Sequence, residues 1–220
     1  VVYDSYKNLN YDVFLARVAG GRLAQADIPV AVTPRFEAKP TITVDTTERV
    51  WVAWESSLPN WGKDTGYVIF PRQPGSELGG DRDLKIRCFD GQEWKEPAAP
   101  LTAVFPPGKM YQPNVFSDGH GSIWLVAKKL TAIARRNQVR DPQSYYSPQH
   151  QAYFEYRATR LDHDKWSAPE TLPNSQGRPS TRVGAALSST GDMWLVWPTD
   201  SRKAPAWARP VRERIWTGVL

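Results

Sequence analysis

The sequence has little of the chemistry that supports disulfides, metal centres or membrane spans. Its one cysteine, Cys88, excludes an internal disulfide and a cysteine-cluster zinc site. The three histidines, His120, His150 and His163, show no metal-ligand spacing, so we expect no metal and no cofactor. No stretch approaches the roughly 18 uncharged apolar residues of a transmembrane helix, and we expect no membrane span.

Aromatic residues, proline and glycine are plentiful instead. The 220 residues include 10 Trp, 19 Pro and 15 Gly, which indicates short strands separated by many turns. A net charge of +5 would suit nucleic acid, but the basic residues are scattered. The densest run, Arg135-Arg136 with Arg140, is short. We therefore expect a solvated basic surface and no nucleic acid, while an anionic ligand such as an acidic sugar stays compatible with the charge.

Three segments repeat one pattern of two strands joined by a polar turn. They are Pro40–Trp54, Pro113–Ala127 and Val183–Trp197. In each, an Asp or Ser stands six residues before a tryptophan: Asp45 before Trp51, Asp118 before Trp124, and Ser188 before Trp194. The pattern predicts that the three tryptophans lie in the core. It also predicts that Asp45 and Asp118 accept backbone N–H bonds within their turns.

A second hairpin accompanies each repeat. The three hairpins run from Tyr11–Arg17 through Gly20-Gly21 to Leu23, from Asp83–Phe89 through Asp90-Gly91 to Trp94, and from Tyr153–Leu161 through Asp162–Asp164 to Trp166. Two hairpins make four antiparallel strands, which is one propeller blade. We therefore expect an all-β chain, a β-propeller fragment of about three to four four-stranded blades with an incomplete ring. The expected units are a partial blade 1–33, blades 34–106 and 107–176, and a partial blade 177–220; a two-sheet sandwich is the alternative.

Both complete blades carry about 20 extra residues between their second and third strands, at 57–82 and 130–151. In an up-and-down meander these insertions share a face with the connectors between blades, and long loops on one face favour a binding site. Aromatic planes and arginine forks there suit sugar rings and carboxylate or sulfate groups. The candidate binding residues on this loop face are Arg35, Glu37, Lys39, Asn60, Trp61, Lys63, Asp64, Tyr111, Gln112, Arg135, Arg136, Tyr145, Tyr146 and Arg182.

The repeat pattern P-x-I-x-x-D…G-x-I-W-L-V-W, with a W-S-x-P ending, resembles bacterial propeller repeats of the TolB and sialidase-like group. The segments 4–14, 34–40 and 60–66 look more narrowly like the propeller part of large bacterial proteins of unknown function. Those proteins carry a C-terminal domain similar to PHP-type metal phosphoesterases. The resemblance implies a larger exported protein, periplasmic or extracellular, whose C-terminal catalytic domain would lie beyond Leu220.

The sialidase likeness fails at two places. The sialidase Asp-box has an Asp five residues before its Trp. At that position this sequence has Thr46, Gly119 and Ser189. The Arg-Ile-Pro motif is missing, so we do not assign the sialidase arginine triad to residues of this sequence.

Three functions stay open from the sequence. The favoured one is a non-catalytic domain that binds a ligand or partner, with a saccharide as the ligand. The second is a glycoside hydrolase or lyase whose site lies on the loop face, with Glu37 and Asp64 as the carboxylate pair, since hydrolysis needs two carboxylates about 5 to 10 Å apart. The third is a protein-interaction platform, which predicts a flat apolar face.

Overall fold

The structure, a computed structural model, describes residues 1–7, 10–57, 82–135, 150–178, 182–206 and 208–210. In these ranges every regular element is a β-strand, apart from one 3-10 turn at Leu101–Ala103. The strands form four sheets, in which all neighbouring strands are antiparallel. The prediction of an all-β chain is confirmed. Within the same ranges, no helix is long and apolar enough to cross a membrane.

The first sheet has three strands in chain order, β1 (Val2–Lys7), β2 (Asn10–Ala19) and β3 (Arg22–Ala31). The turn between β2 and β3 is Gly20-Gly21, as the sequence predicts. Both glycines have positive φ, 57° and 72°. Two such residues in a row give the primed turn whose twist matches that of the flanking strands, and glycine adopts it without steric cost.

The second sheet is a four-stranded meander. Its strands are β4 (Phe36–Val44), β5 (Val50–Ser57), β6 (Arg82–Phe89) and β7 (Trp94–Lys95). The alternation of side chains places Trp51 and Ala53 of β5 in the core shared with the third sheet. Val52 and Trp54 point the other way, into the core shared with the first sheet. Strand β5 is therefore buried on both faces, which explains its continuous apolar run.

The third sheet is built on a long hairpin. Its strands are β8 (Met110–Ser117), β9 (Ile123–Arg135), β10 (His150–Asp162), β11 (Lys165–Trp166) and β12 (Glu170–Thr171), and a later short strand, β15 (Arg209–Pro210), pairs with the far end of β9. The interpretation of 130–151 as an irregular loop is wrong at both ends, since 130–135 and 150–151 are strand residues. Packing of Ala132 against Tyr153 and Ala208 supports this extension.

The fourth sheet is a short hairpin of β13 (Gly184–Leu187) and β14 (Met193–Val196). The exposure of its tryptophan, Trp194, differs from the burial that the sequence predicts. Trp51 is buried and Trp124 is half-buried, but Trp194 is 70% exposed. Each of the first two faces the following sheet. No described residue covers the corresponding face of the fourth sheet. The prediction that Trp194 lies in the core is therefore wrong.

The four sheets pack face to face in chain order, where a sandwich has only two. One cluster joins the first and second sheets, another joins the second and third, and a third joins the third and fourth. Strand β4 packs against β1 and β2 on one side and β8 on the other. The described residues do not close into a barrel. This order brings the starts of consecutive sheets together, and the candidate site lies there.

Candidate functional site

Two polar turns stabilise one end of the sheets. Asp45 accepts the backbone N–H groups of Thr47 and Arg49 at 2.9 and 3.0 Å, and the indole Nε1–H of Trp51 at 2.8 Å. Burial alone would raise the pKa of Asp45, but the hydrogen bonds from Trp51, Thr47 and Arg49 lower it to about 2. Asp118 likewise accepts backbone N–H groups, from His120 and Ser122. The prediction that both aspartates order their turns is confirmed.

A cluster of charged side chains lies at the opposite end of these strands, centred on Glu55. This buried carboxylate accepts Arg82 Nη1–H at 2.9 Å and lies 3.2 Å from Lys39 Nζ. It also accepts the backbone N–H of Gln112, at 2.7 Å, from the neighbouring third sheet. We call the group around it the basic cluster, which consists of Lys39, Glu55, Arg82, Tyr111, Gln112, Lys128 and Arg182.

The backbone at Lys39 and Gln112 is left-handed, and one carboxylate at each residue, that of Asp4 or Glu55, stabilises it. Both residues have left-handed φ, 55° and 49°, at places where the strand register shifts, and each precedes a proline. This left-handed conformation costs a non-glycine residue roughly 1 kcal/mol or more in free energy, so it persists only where surrounding contacts stabilise it. The Lys39 N–H donates to Asp4 at 2.7 Å, just as the Gln112 N–H donates to Glu55. The two sheet junctions thus share one feature, a carboxylate that accepts a backbone N–H where the strand register of the next sheet shifts.

Two aromatic rings border the cluster. The Arg82 guanidinium lies 5.1 Å from the centre of the Tyr111 ring, and Lys128 Nζ lies 4.5 Å from the centre of the Phe154 ring. The two rings meet edge to face at 5.7 Å. Cations over ring faces are favourable, and flat rings beside cations are also the surfaces that bind sugars.

Positive charge gathers in the basic cluster. Among the described residues, Lys39, Arg82 and Lys128 surround the carboxylate of Glu55. Burial lowers the pKa of Lys128 to about 8, with further lowering by the nearby charges of Lys39 and Arg82. Burial also lowers the pKa of Lys39, against the attraction of Glu55. The described cations of the cluster therefore lie close enough for the charges of Lys39 and Arg82 to lower the pKa of Lys128.

Arg182 adds a further cation from the segment that leads into the fourth sheet. Its Nη1–H donates to the carbonyl oxygen of Pro40 in β4, at 3.0 Å. Its charge also acts on Lys39, which further lowers the pKa of that lysine. Residues of the second, third and fourth sheets thus meet at one place.

The structure brings together four of the sequence-predicted site residues, Lys39, Tyr111, Gln112 and Arg182. Arg35 and Glu37 lie in a separate network of hydrogen bonds. Arg35 Nε–H donates to Ser56 Oγ at 2.7 Å. The buried carboxylate of Glu37 accepts the indole N–H of Trp54 at 2.5 Å, as well as the hydroxyl groups of Thr33 and Ser56. These contacts give Glu37 a structural role between β4 and β5.

The remaining predicted site residues fall on parts of the chain that the structure does not describe. These residues are Asn60, Trp61, Lys63, Asp64, Arg136, Tyr145 and Tyr146. Arg135 is described through its backbone alone, as the last residue of β9. The carboxylate pair of Glu37 and Asp64 therefore stays a sequence prediction.

Sequence reasoning missed three members of the basic cluster, Glu55, Arg82 and Lys128. A signal for two of them was present. Glu55 follows Trp51 by four residues and Lys128 follows Trp124 by four, so both occupy the same repeat position. A charged residue at the end of an apolar strand marks a place where the strand meets a polar partner.

No family model matches the chain. The curated proteins also provide no significant match to its sequence.

Proposed function

We propose that this chain is part of a β-propeller that binds an acidic saccharide at the basic cluster. Four antiparallel sheets packed in chain order support the propeller. The bond from Arg182 to the Pro40 carbonyl adds support, because the starts of blades converge on the axis of a propeller. The likeness to exported bacterial propellers adds the proposal that the domain serves a larger exported protein with a separate catalytic domain.

The observation that carries the binding function is the convergence of cations and two aromatic rings around the carboxylate of Glu55. Buried charges are costly unless they are paired. Among the described residues three cations lie around one buried carboxylate, and the charges of Lys39 and Arg82 lower the pKa of Lys128, so an incoming anion would relieve repulsion as well as gain hydrogen bonds. Arg82 and Arg182 offer the planar donor groups that bind carboxylate and sulfate, and Tyr111 and Phe154 offer ring faces to a sugar.

The test is a binding measurement by calorimetry with oligogalacturonate, sulfated oligosaccharides and neutral oligosaccharides of the same length. We expect binding of the acidic sugars, weakening as salt rises, and none of the neutral ones. Arg182→Gln should weaken binding at least tenfold. Arg178→Gln is the matched control, because Arg178 binds Asp200 outside the cluster. Equal binding of neutral and acidic sugars, or no effect of Arg182→Gln, would refute the proposal.

A further inference from the structure

A cavity of about 200 Å³ lies between the turns of the second and third sheets, at the end opposite to the basic cluster. Trp51, on its lining, and Glu55 of the cluster are four residues apart on β5, which is about 13 Å. The floor of the cavity consists of buried core residues, Trp51, Ile123 and Leu161. Its rim is polar, with Arg49 on the second sheet and His120 and Asp162–Asp164 on the third. An apolar floor with a few polar groups around it is typical of a small-molecule site.

The turn that carries His163 and Asp164 is the same as the glycine turn of the first sheet. Both turns have two residues, with φ of 57° and 72° at Gly20-Gly21 and of 46° and 61° at His163 and Asp164. Glycine adopts this left-handed backbone without steric cost, whereas residues with side chains are strained there. The Nδ1 atom of His163 lies 2.6 Å from Asp162 Oδ1, which accounts for the histidine. No described residue binds the carboxylate of Asp164, so this side chain is available to a ligand.

His120 is a second departure from the repeat at the same cavity. The corresponding residues in the turns of the second and fourth sheets are Thr47 and Thr190, and each is hydrogen-bonded to the first residue of its own turn. His120 instead lies against the turn of the fourth sheet, where a Cβ atom on Gly191 would overlap its Nε2 atom. The glycine therefore makes room for an imidazole in the wall of the cavity.

Arg49 lies on the opposite wall. Its Nε–H donates to Asp45 at 2.8 Å, and its guanidinium lies 5.5 Å from the centre of the Trp51 ring. These contacts hold the guanidinium beside the cavity and use one of its three nitrogens. Among the described residues, no acceptor binds its two Nη groups. The cavity therefore has an available cation on the second sheet and an available carboxylate, Asp164, on the third.

We propose that this cavity binds a free α-amino acid with an apolar side chain. The carboxylate of the amino acid would bind the Nη groups of Arg49, its ammonium group would bind Asp164, and its side chain would contact the apolar floor. His120 offers a further group that donates to a carboxylate or accepts from an ammonium group. Walls of opposite charge favour a ligand with both charges over an anion, which Asp162 and Asp164 would repel.

The first experiment separates the two charges of the ligand. Leucine, isoamylamine and isocaproate have the same apolar chain, but the second carries the ammonium group alone and the third the carboxylate alone. Calorimetry and the melting temperature are the readouts. We expect leucine to bind and to raise the Tm, and each of the two analogues to bind at least tenfold more weakly.

The second experiment removes the charge of each wall. Asp164→Asn should keep the turn, because Asn tolerates left-handed φ, and should lower the affinity for leucine at least tenfold. Arg49→Gln should lower it by a similar factor. The matched controls are Asp192→Asn in the turn of the fourth sheet and Arg202→Gln beside Asp200, both outside the cavity, and we expect both to bind leucine as the wild type does.

Three results would overturn the inference. Leucine that does not bind would remove the site, and isocaproate that binds as tightly as leucine would show that the ammonium group is not recognised. Leucine affinity within twofold of the wild type in Asp164→Asn would exclude the assigned wall. Near-UV circular dichroism verifies folding, and Asp164→Asn alone decides if Arg49→Gln does not fold. None of these results affects the proposed function, because the basic cluster lies at the other end of β5 and is tested with acidic oligosaccharides.

Discussion

Removing the charge of Lys128 should make the unliganded protein more stable. Lys128 is buried in β9, and burial together with Lys39 and Arg82 lowers its pKa from 10.5 to about 8. At about 1.4 kcal/mol per pKa unit, the folded state loses roughly 3 kcal/mol by keeping this lysine charged. The contact with the Phe154 ring returns about 1 kcal/mol. We therefore expect Lys128→Met to raise the free energy of unfolding by about 2 kcal/mol at pH 7.

The gain should depend on pH in a way that identifies its cause. Lys128 releases its proton near pH 8 in the folded protein and near pH 10.5 in the unfolded chain. Between these values the unfolded chain binds more protons, so the stability of the wild type rises with pH. The stability difference between Lys128→Met and wild type should be constant below pH 8. It should decrease from pH 8 to 10.5, above which lysine is neutral in both states.

Urea unfolding followed by tryptophan fluorescence at several pH values from 7 to 10.5 measures this difference. Equal m-values for the two proteins would show that the same surface is exposed on unfolding. The matched control is Lys85→Met, whose side chain is exposed and whose stability difference should not change with pH. A difference for Lys128→Met that is the same at every pH, or a Met variant less stable at pH 7, would refute the reasoning.

Two further predictions concern the turns and the tryptophans. Asp45→Ala leaves the buried Trp51 indole N–H without its acceptor and should cost about 2 to 3 kcal/mol in urea unfolding at pH 7. The folded pKa of Asp45 is lowered from 3.8 to about 2, so its ionic contribution is present above pH 3.8 and is lost as pH falls through 2. A destabilisation by Asp45→Ala that did not decrease between pH 4 and pH 2 would contradict this. Trp51→Ala should cost about 3 to 5 kcal/mol, while Trp194→Ala, the same change on an exposed face, should cost less than about 1 kcal/mol; equal losses would show that Trp194 is covered in solution.

The sequence predicted what local chemistry determines. Strand alternation and turn residues depend on near neighbours, so the hairpin at Gly20-Gly21 and the turns ordered by Asp45 and Asp118 are as expected. Burial of a tryptophan depends on another sheet. Trp51, Trp124 and Trp194 are equivalent in sequence, but only the first two face a sheet among the described residues.

The site was predicted in part for a related reason. The connections between successive sheets share a face, which topology alone implies, and this makes Lys39, Tyr111, Gln112 and Arg182 predictable. Glu55, Arg82 and Lys128 were not predicted as site residues because they lie on strands, where a charged residue usually faces solvent. Their burial is a tertiary fact: Glu55 contacts the next sheet through the Gln112 N–H, 57 residues away in sequence.

The junctions explain how a repeated architecture can hold a site at one position. Where Asp4 or Glu55 binds the next sheet, the carboxylate satisfies a backbone N–H and the junction is complete. In β9 the residue four after the tryptophan is Lys128 instead, and its buried ammonium group lies near the charges of Lys39 and Arg82, at a cost in stability. Under the proposed function an anionic ligand at the basic cluster would offset this cost, so the charges that weaken the free protein are the ones that would give it affinity. On this view Lys128→Met should be more stable than the wild type without ligand, and acidic oligosaccharides should stabilise it less than they stabilise the wild type.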